Sequence, residues 1–378
     1  MRSLVVFSLF LFSGMSLAND WQQQDFSVEA SLAQNSTKFY QSRINQTALR
    51  SRIHTVQLYD GFGISGSLAA SLERFAGLEG EQQSEFSYDA GLGSRLFLSP
   101  ISSVDVAASF SDRYQILSVD EARYQSSDSP LVNSEQRTVV ASWQLGSATQ
   151  LRSLNLTFRH RNDEKTSAVS SRLFKSEQSN DLGARFTNRI SEDTNLVINV
   201  GHSQYDLGFQ SGTKKPDITD ALVGFATDYF GNSSLEVLVG ISKRSETERQ
   251  ASSDVFSWQL INVLSLSESS SLQISTKRQL TSSPNPVFLD AQLSDLEVDF
   301  DWRFLEDWSV TAQMQVANLE FGDGSTADML ALRTNLGWRL NEYLTLSSYV
   351  KYEDFDGEQT RFIHAGTNAG MSISWEFY

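Results

Sequence analysis

Cysteine is absent from all 378 residues, proline occurs only 5 times and histidine 4 times. The missing cysteine excludes disulfides, thiolate metal sites and a lipid-anchored amino terminus, and it costs nothing in an oxidising periplasm. Long apolar runs are missing too. No stretch after the amino terminus reaches the roughly 18 apolar residues a helical membrane span requires. Positive charge is in deficit, with Lys+Arg 30 against Asp+Glu 46 and a formal net charge of -16. Nucleic acid is therefore not an expected partner, because phosphate binding needs a basic surface.

What is present begins with an export signal. Arg2 supplies a short positive region, Leu4 to Met15 an apolar stretch, and Ser16-Leu17-Ala18 a small-x-small cleavage site. This pattern predicts a secretory signal peptide over 1–18, Sec-type export and a mature start at Asn19. An exported chain without a helical span either stays soluble in the periplasm or crosses a membrane as a closed barrel.

The alternation of side chains favours the barrel. Residues 296–304 set Leu296, Val298, Phe300, Trp302 and Phe304 against Glu297, Asp299, Asp301 and Arg303. Residues 330–340 set Leu330, Leu332, Leu336, Trp338 and Leu340 against Arg333, Asn335, Gly337 and Arg339. Period two is a strand with one apolar and one polar face. The runs reach the roughly 9–11 residues a tilted membrane strand needs, whereas sandwich strands run to about 5–6. Apolar runs also break repeatedly at short polar turns: 96–104, 143–151, 189–196, 229–235, 265–272, 303–310 and 339–346. Their spacing of roughly 35–47 residues fits two strands, a tight turn and one longer loop.

Counting runs predicts strands near 24–35, 50–59, 64–76, 84–98, 103–116, 137–145, 151–161, 179–190 and 195–205. Further runs lie near 218–230, 234–245, 253–266, 271–279, 292–305, 308–320, 327–340, 343–354 and 361–377. The fold class expected is all-β: a transmembrane antiparallel up-and-down barrel of about 18 strands, with 16 as the alternative. Each of these turns follows an even-numbered strand, which puts both termini on the turn side, read as periplasmic. The barrel is assigned to 26–378, after a short periplasmic segment at 19–25.

Aromatic residues gather near the turns: Phe97, Trp143, Phe230, Phe304, Trp308, Trp338, Tyr343, Trp375 and Phe377. Rings of this kind collect at a membrane–water interface. The chain ends "GMSISWEFY", and Trp375, Phe377 and Tyr378 resemble the carboxy-terminal aromatic signal that outer-membrane proteins present to the barrel-assembly machinery. The pair Phe377-Tyr378 breaks strict alternation.

Taken together, these features resemble Gram-negative outer-membrane β-barrel proteins over essentially the whole mature chain. A narrower resemblance rests on length, the turn style and glycine-containing strands such as "YDAGLGSRLFLSP". It is to the β-barrel porins found with exopolysaccharide systems, and implies a conduit for secreted polysaccharide with periplasmic export components as partners. Outer-membrane lipid and lipopolysaccharide would surround either kind of barrel. The short segment before the first strand leaves no room for a plug domain, so an open channel is the leading expectation. A general diffusion porin and a structural or adhesive barrel are the alternatives.

An enzyme is not expected. The histidines are His54, His160, His202 and His364, and adjacent His202 and Ser203 point to opposite faces of a strand. No cofactor or metal is expected either: the acidic stretches at 321–328 and 352–358 lack the spacing of a calcium loop. Candidate pore-lining charges are an acidic line, Asp295, Glu297, Asp299 and Asp301, and a basic sector, Arg152, Arg159, Arg161, Arg185 and Arg189. Arg333 and Arg339 join the candidates, and Tyr205 and Tyr349 are candidate sugar contacts.

Overall fold

The computed structural model describes residues 23–39, 42–59, 61–78, 81–116, 131–146, 151–167, 173–209, 212–230, 232–245, 252–282, 290–357 and 364–377. Every element among them is a strand. The first nine are β1 (Gln23–Phe39), β2 (Ser42–Tyr59), β3 (Phe62–Leu78), β4 (Glu81–Ser99), β5 (Ser102–Ile116), β6 (Leu131–Leu145), β7 (Arg152–Ser167), β8 (Leu173–Arg189) and β9 (Thr194–Phe209). Next come β10 (Gly212–Lys214), β11 (Asp217–Tyr229), β12 (Ser233–Arg244), β13 (Ser253–Ser267), β14 (Ser270–Ser282) and β15 (Asp290–Leu305). The chain finishes with β16 (Trp308–Phe321), β17 (Thr326–Arg339), β18 (Leu344–Gly357) and β19 (His364–Phe377). The signal peptide, Asn19 and Tyr378 lie outside the described residues, and β1 begins inside the segment read as 19–25.

Each strand pairs antiparallel with the next, except that β10 and β11 both pair with β9, and β1 also pairs with β19, from Val28↔Phe377 to Lys38↔Thr367. The sheet is closed. It has 19 elements but 18 crossings, because β10 and β11 are one strand interrupted at Pro216. Both halves pair with β9 in one continuous register. Proline has no N–H to give the ladder, so pairing breaks there and resumes.

The outward face carries the apolar side chains. Leu92, Leu182 and Met371 are 64%, 55% and 58% exposed, a degree of apolar exposure that only lipid can cover. The apolar band has a clear end on the side away from the turns. On β7 the outward sequence is Leu154, Leu156, Phe158 and then His160, Asn162, Glu164. On β9 it is Leu196, Ile198, Val200 and then His202, Gln204, Asp206. On β17 it runs from Trp338 through Leu336 and Leu332 to Asp328. At the turn side, Trp302, Phe304, Trp308 and Trp338 form one outward aromatic patch, with the last two rings stacked at 4.9 Å.

The strands continue past the band on the loop side, and this corrects the expectation of long loops at every connection there. Only residues 40–41 and 79–80 separate β1 from β2 and β3 from β4. In those hairpins the wall itself extends, in strands of 17 to 19 residues. An antiparallel ladder needs no lipid, so it zips on for as long as neither strand carries a breaker.

The wall is not evenly curved. Cα atoms of β11 and β14, three strands apart, approach within 8 Å, where an open sheet would hold them about 14 Å apart. The crease runs through Gly224 and Gly240, whose missing side chains would drive into the backbone at Val237 and Ala221. Inside it Ser242 bonds to Asp220 and to Ser257 (2.6 Å), and Leu238 is fully buried. Among the described residues there is no continuous core. Two small apolar clusters, Ala291–Phe321–Ala327 and Ile44–Phe75–Leu131, sit near the loop-side ends of their strands.

Candidate functional site: the charged lumen

The inward face is polar and charged. The β14–β15–β16 register aligns Asp295, Glu297, Asp299 and Asp301 inward, beside Lys277, Ser275, Gln273 and Ser271 on one side. On the other side lie Ala317, Gln315, Gln313 and Thr311. Gln313 donates to Asp299 (2.8 Å) and Gln315 to Asp295 (3.1 Å), while Lys277 reaches Asp295 only at 3.9 Å. Asp301 is exposed and has no ion partner among the described residues. Asp295 is buried, and the line opens toward the bore from Glu297 through Asp299 to the exposed Asp301.

The basic sector divides. Arg159 and Arg161 on β7 and Arg185 on β8 point inward, but Arg152 does not. It is in register with Asn188 on the outward face, where its Nε donates to Asn188 Oδ1 at 3.1 Å. An even-numbered residue on β7 cannot share a face with two odd-numbered ones. Of the inward arginines, Arg161 pairs with Asp163 (3.0 Å), and Arg185 forms a bidentate pair with Glu236 across the intervening strands. Arg159 is exposed, with no ion partner among the described residues, and Arg189 ends β8 at the turn side. Arg339 pairs with Asp307 (3.3 Å) and so fastens two turns together rather than lining the bore. Arg333 faces the lumen, with Nε donating to Asn335 Oδ1 (3.1 Å) and its guanidinium over the Tyr349 ring, 5.7 Å from the centroid.

Charges that sequence reasoning missed occupy the opposite sector. Arg95–Asp105 (2.5 Å), Arg113–Asp89 (2.6 Å), Arg50–Glu73 (3.9 Å) and Arg52–Glu29 (4.0 Å) cross-link β1 to β5 on the inward face. Glu29, Arg52, His54 and Asp89 line a recess of about 400 Å³ floored by Ser67 and Ala69. The signal was in "LRSRIHT", where Arg50, Arg52 and His54 alternate with Leu49, Ser51 and Ile53. A serine in the apolar series blurred it.

Tyr205 and Tyr349 both face inward but do not come together. Tyr205 lies on β9 opposite the interruption at Pro216, and Tyr349 lies on β18. Trp375 is outward and 40% exposed, in register with Ala30, and the backbone of Phe377 closes on Val28. Of the histidines, His160 and His202 are outward, bonded to Asn180 (2.8 Å) and Thr219 (2.9 Å). In the stretch 321–328, Asp323 accepts from the backbone N–H and hydroxyl of Ser325, which makes it a turn-forming carboxylate.

No family model matches the chain, and no curated protein sequence is similar to it. Solved structures do match. OccK2 (OpdF) of Pseudomonas aeruginosa, in complex with glucuronate, is 9% identical with a TM-score of 0.50, covering 96% of this chain and 100% of that one. OccK5 (OpdH) of the same organism is 10% identical with a TM-score of 0.51, over 96% and 100% of the two chains. The FrpB iron transporter of Neisseria meningitidis (F3-3 variant) is 8% identical with a TM-score of 0.54, over 96% and 82%. At these identities the likeness defines the fold: the chain is a closed, 18-strand antiparallel barrel of the Gram-negative outer-membrane type.

The acidic line makes a measurable prediction. Successive carboxylates along it lie about 7 Å apart, from the strand rise. From Glu297 to Asp301 they open toward the bore and set a local negative potential on one wall. Asp299→Asn with Asp301→Asn should lower cation preference in single-channel reversal potentials, more at low salt than at high salt because of screening. Unchanged selectivity at low salt, together with a barrel that melts earlier, would make the carboxylates structural.

Proposed function

We propose that this protein is an outer-membrane channel for polar solutes, and that its use is the export of an exopolysaccharide. The observation that carries the channel reading is the inward face itself. Away from the crease it is built mainly of serine, glycine, amide and charged side chains, with Val197, Leu222 and Leu238 gathered where the wall folds in, and every described element belongs to the wall. An 18-strand barrel is wide enough for an aqueous bore when its interior is not packed. In this reading the turns and both termini are periplasmic, and the extended hairpins stand outside the cell among lipopolysaccharide. The barrel-assembly machinery inserts the chain through its last strand, and periplasmic export components feed the polymer to the turn-side mouth.

Support for carbohydrate as the solute comes from the resemblance to exopolysaccharide-associated porins and from the sugar acid named with one fold neighbour, OccK2. The second reading is general diffusion, favoured by the mixture of ion pairs around the bore, which suits no single charge. Deleting the gene in its native host separates them. Export predicts polymer retained in the periplasm and lost from the medium. Unchanged secretion, with slower uptake of small polar solutes, would favour the diffusion porin.

A further inference from the structure

Arg278 stands on the lipid-facing side of β14. Its register partners are Trp258 on β13 and Ser294 on β15, and parity puts all three outward. One outward row nearer the turns, β15, β16 and β17 carry Leu296, Val316 and Leu330. The row of Arg278 continues instead through Ser294, Asn318 and Asp328. The guanidinium therefore lies where the apolar band gives way to polar side chains, at the depth of lipid headgroups.

No carboxylate answers its charge. Arg278 makes no ion pair among the described residues, and its Nε is buried without a hydrogen-bond partner. Outward charges on the flanking strands are matched to others. Lys243 and Asp254 oppose each other in register, two outward positions beyond Trp258, and Asp290 pairs with the buried Arg244 at 3.0 Å. Arg137, at the same rim on β6, pairs with Glu135. The guanidinium of Arg278 rests on the Trp258 ring, 5.4 Å from the centroid. Such a contact uses the flat face of the cation and leaves the terminal N–H groups, which lie in its plane, for an acceptor.

We propose that Arg278, seated on Trp258, binds a phosphate of lipid A in the outer leaflet. Guanidinium and phosphate match as a two-pronged, charge-assisted pair, and the low dielectric at the edge of the band strengthens it. Exposed Val239, Ile241 and Phe256 flank Trp258 on the turn and loop sides and take the acyl chains. The leaflet rests on the reading that the turns are periplasmic, which puts this rim outside.

The test is native mass spectrometry of the detergent-folded barrel with bis-phosphorylated lipid A, its dephosphorylated form and phosphatidylglycerol. Lipid A should be retained and its dephosphorylated form lost. Arg278→Gln should lower lipid A retention about tenfold, and Arg278→Lys should restore part of it. Arg137→Gln, which removes a guanidinium that is already paired, should change nothing. Heat-modifiable migration reports that each variant is folded. Equal retention by Arg278→Gln, equal retention of the dephosphorylated lipid, or preference for phosphatidylglycerol would overturn the proposal. The leaflet is checked separately with Asp254→Cys, in a chain that has no other cysteine. It should react with an impermeant maleimide on intact cells. Reaction only after lysis would place this rim in the periplasmic leaflet and overturn lipid A as the occupant, whatever the phosphate result.

Discussion

Truncation after Ser374 should leave no folded barrel in the outer membrane. The cut removes Trp375 from its register with Ala30 and Leu344, and Phe377 from its register with Val28. These pairs close the cylinder on the turn side, where the outward neighbours are lipid. Opening the seam exposes backbone N–H and C=O groups to hydrocarbon, at several kcal/mol for each unsatisfied group. Few barrels have the stability to absorb more than one such loss. Heat-modifiable migration and protease resistance of outer-membrane fractions report the outcome. A truncated chain that appears there at normal levels would show that the seam is closed elsewhere.

Leu332→Arg should destabilise the barrel by about 2–4 kcal/mol, the cost of an arginine at the bilayer midplane. The residue is outward, 41% exposed, and lies midway between the aromatic patch at Trp338 and the polar end of the band at Asp328. Leu336→Arg should cost less, because that position lies next to the interfacial Trp338, where the penalty falls to about 0–1 kcal/mol. Gln313→Arg is the inward control: its side chain already meets Asp299, so the substitution should be tolerated. Urea unfolding in lipid vesicles, followed by tryptophan fluorescence, gives the ordering. Equal costs at Leu332 and Gln313 would mean that the assignment of faces, or the membrane itself, is wrong.

Much of this architecture was legible in the residues. All the alternating runs are strands, the turns at 96–104 through 339–346 fall where the polar breaks are, and the line Asp295–Asp301 shares one face. What stayed hidden has physical causes. The loop-side ends of the strands were read short, as at 137 for Leu131 and 50 for Ser42, because period two is visible only while one face is apolar. Beyond the lipid both faces become polar, and hydrogen bonding continues without a sequence signature. Arg152 has the charge of the basic sector but the parity of the outward face, and parity decides where it points. The seat of the Tyr349 ring depends on Gly370, its register partner in the next strand, and pairing across strands is not written in either strand alone.

The central claim is that the inward face encloses a water-filled bore, and planar-bilayer recording of the purified protein tests it most directly. Stepwise, persistent conductance with a cation preference that weakens as salt rises is the predicted result. A correctly folded, heat-modifiable barrel that inserts and passes no ions would contradict it.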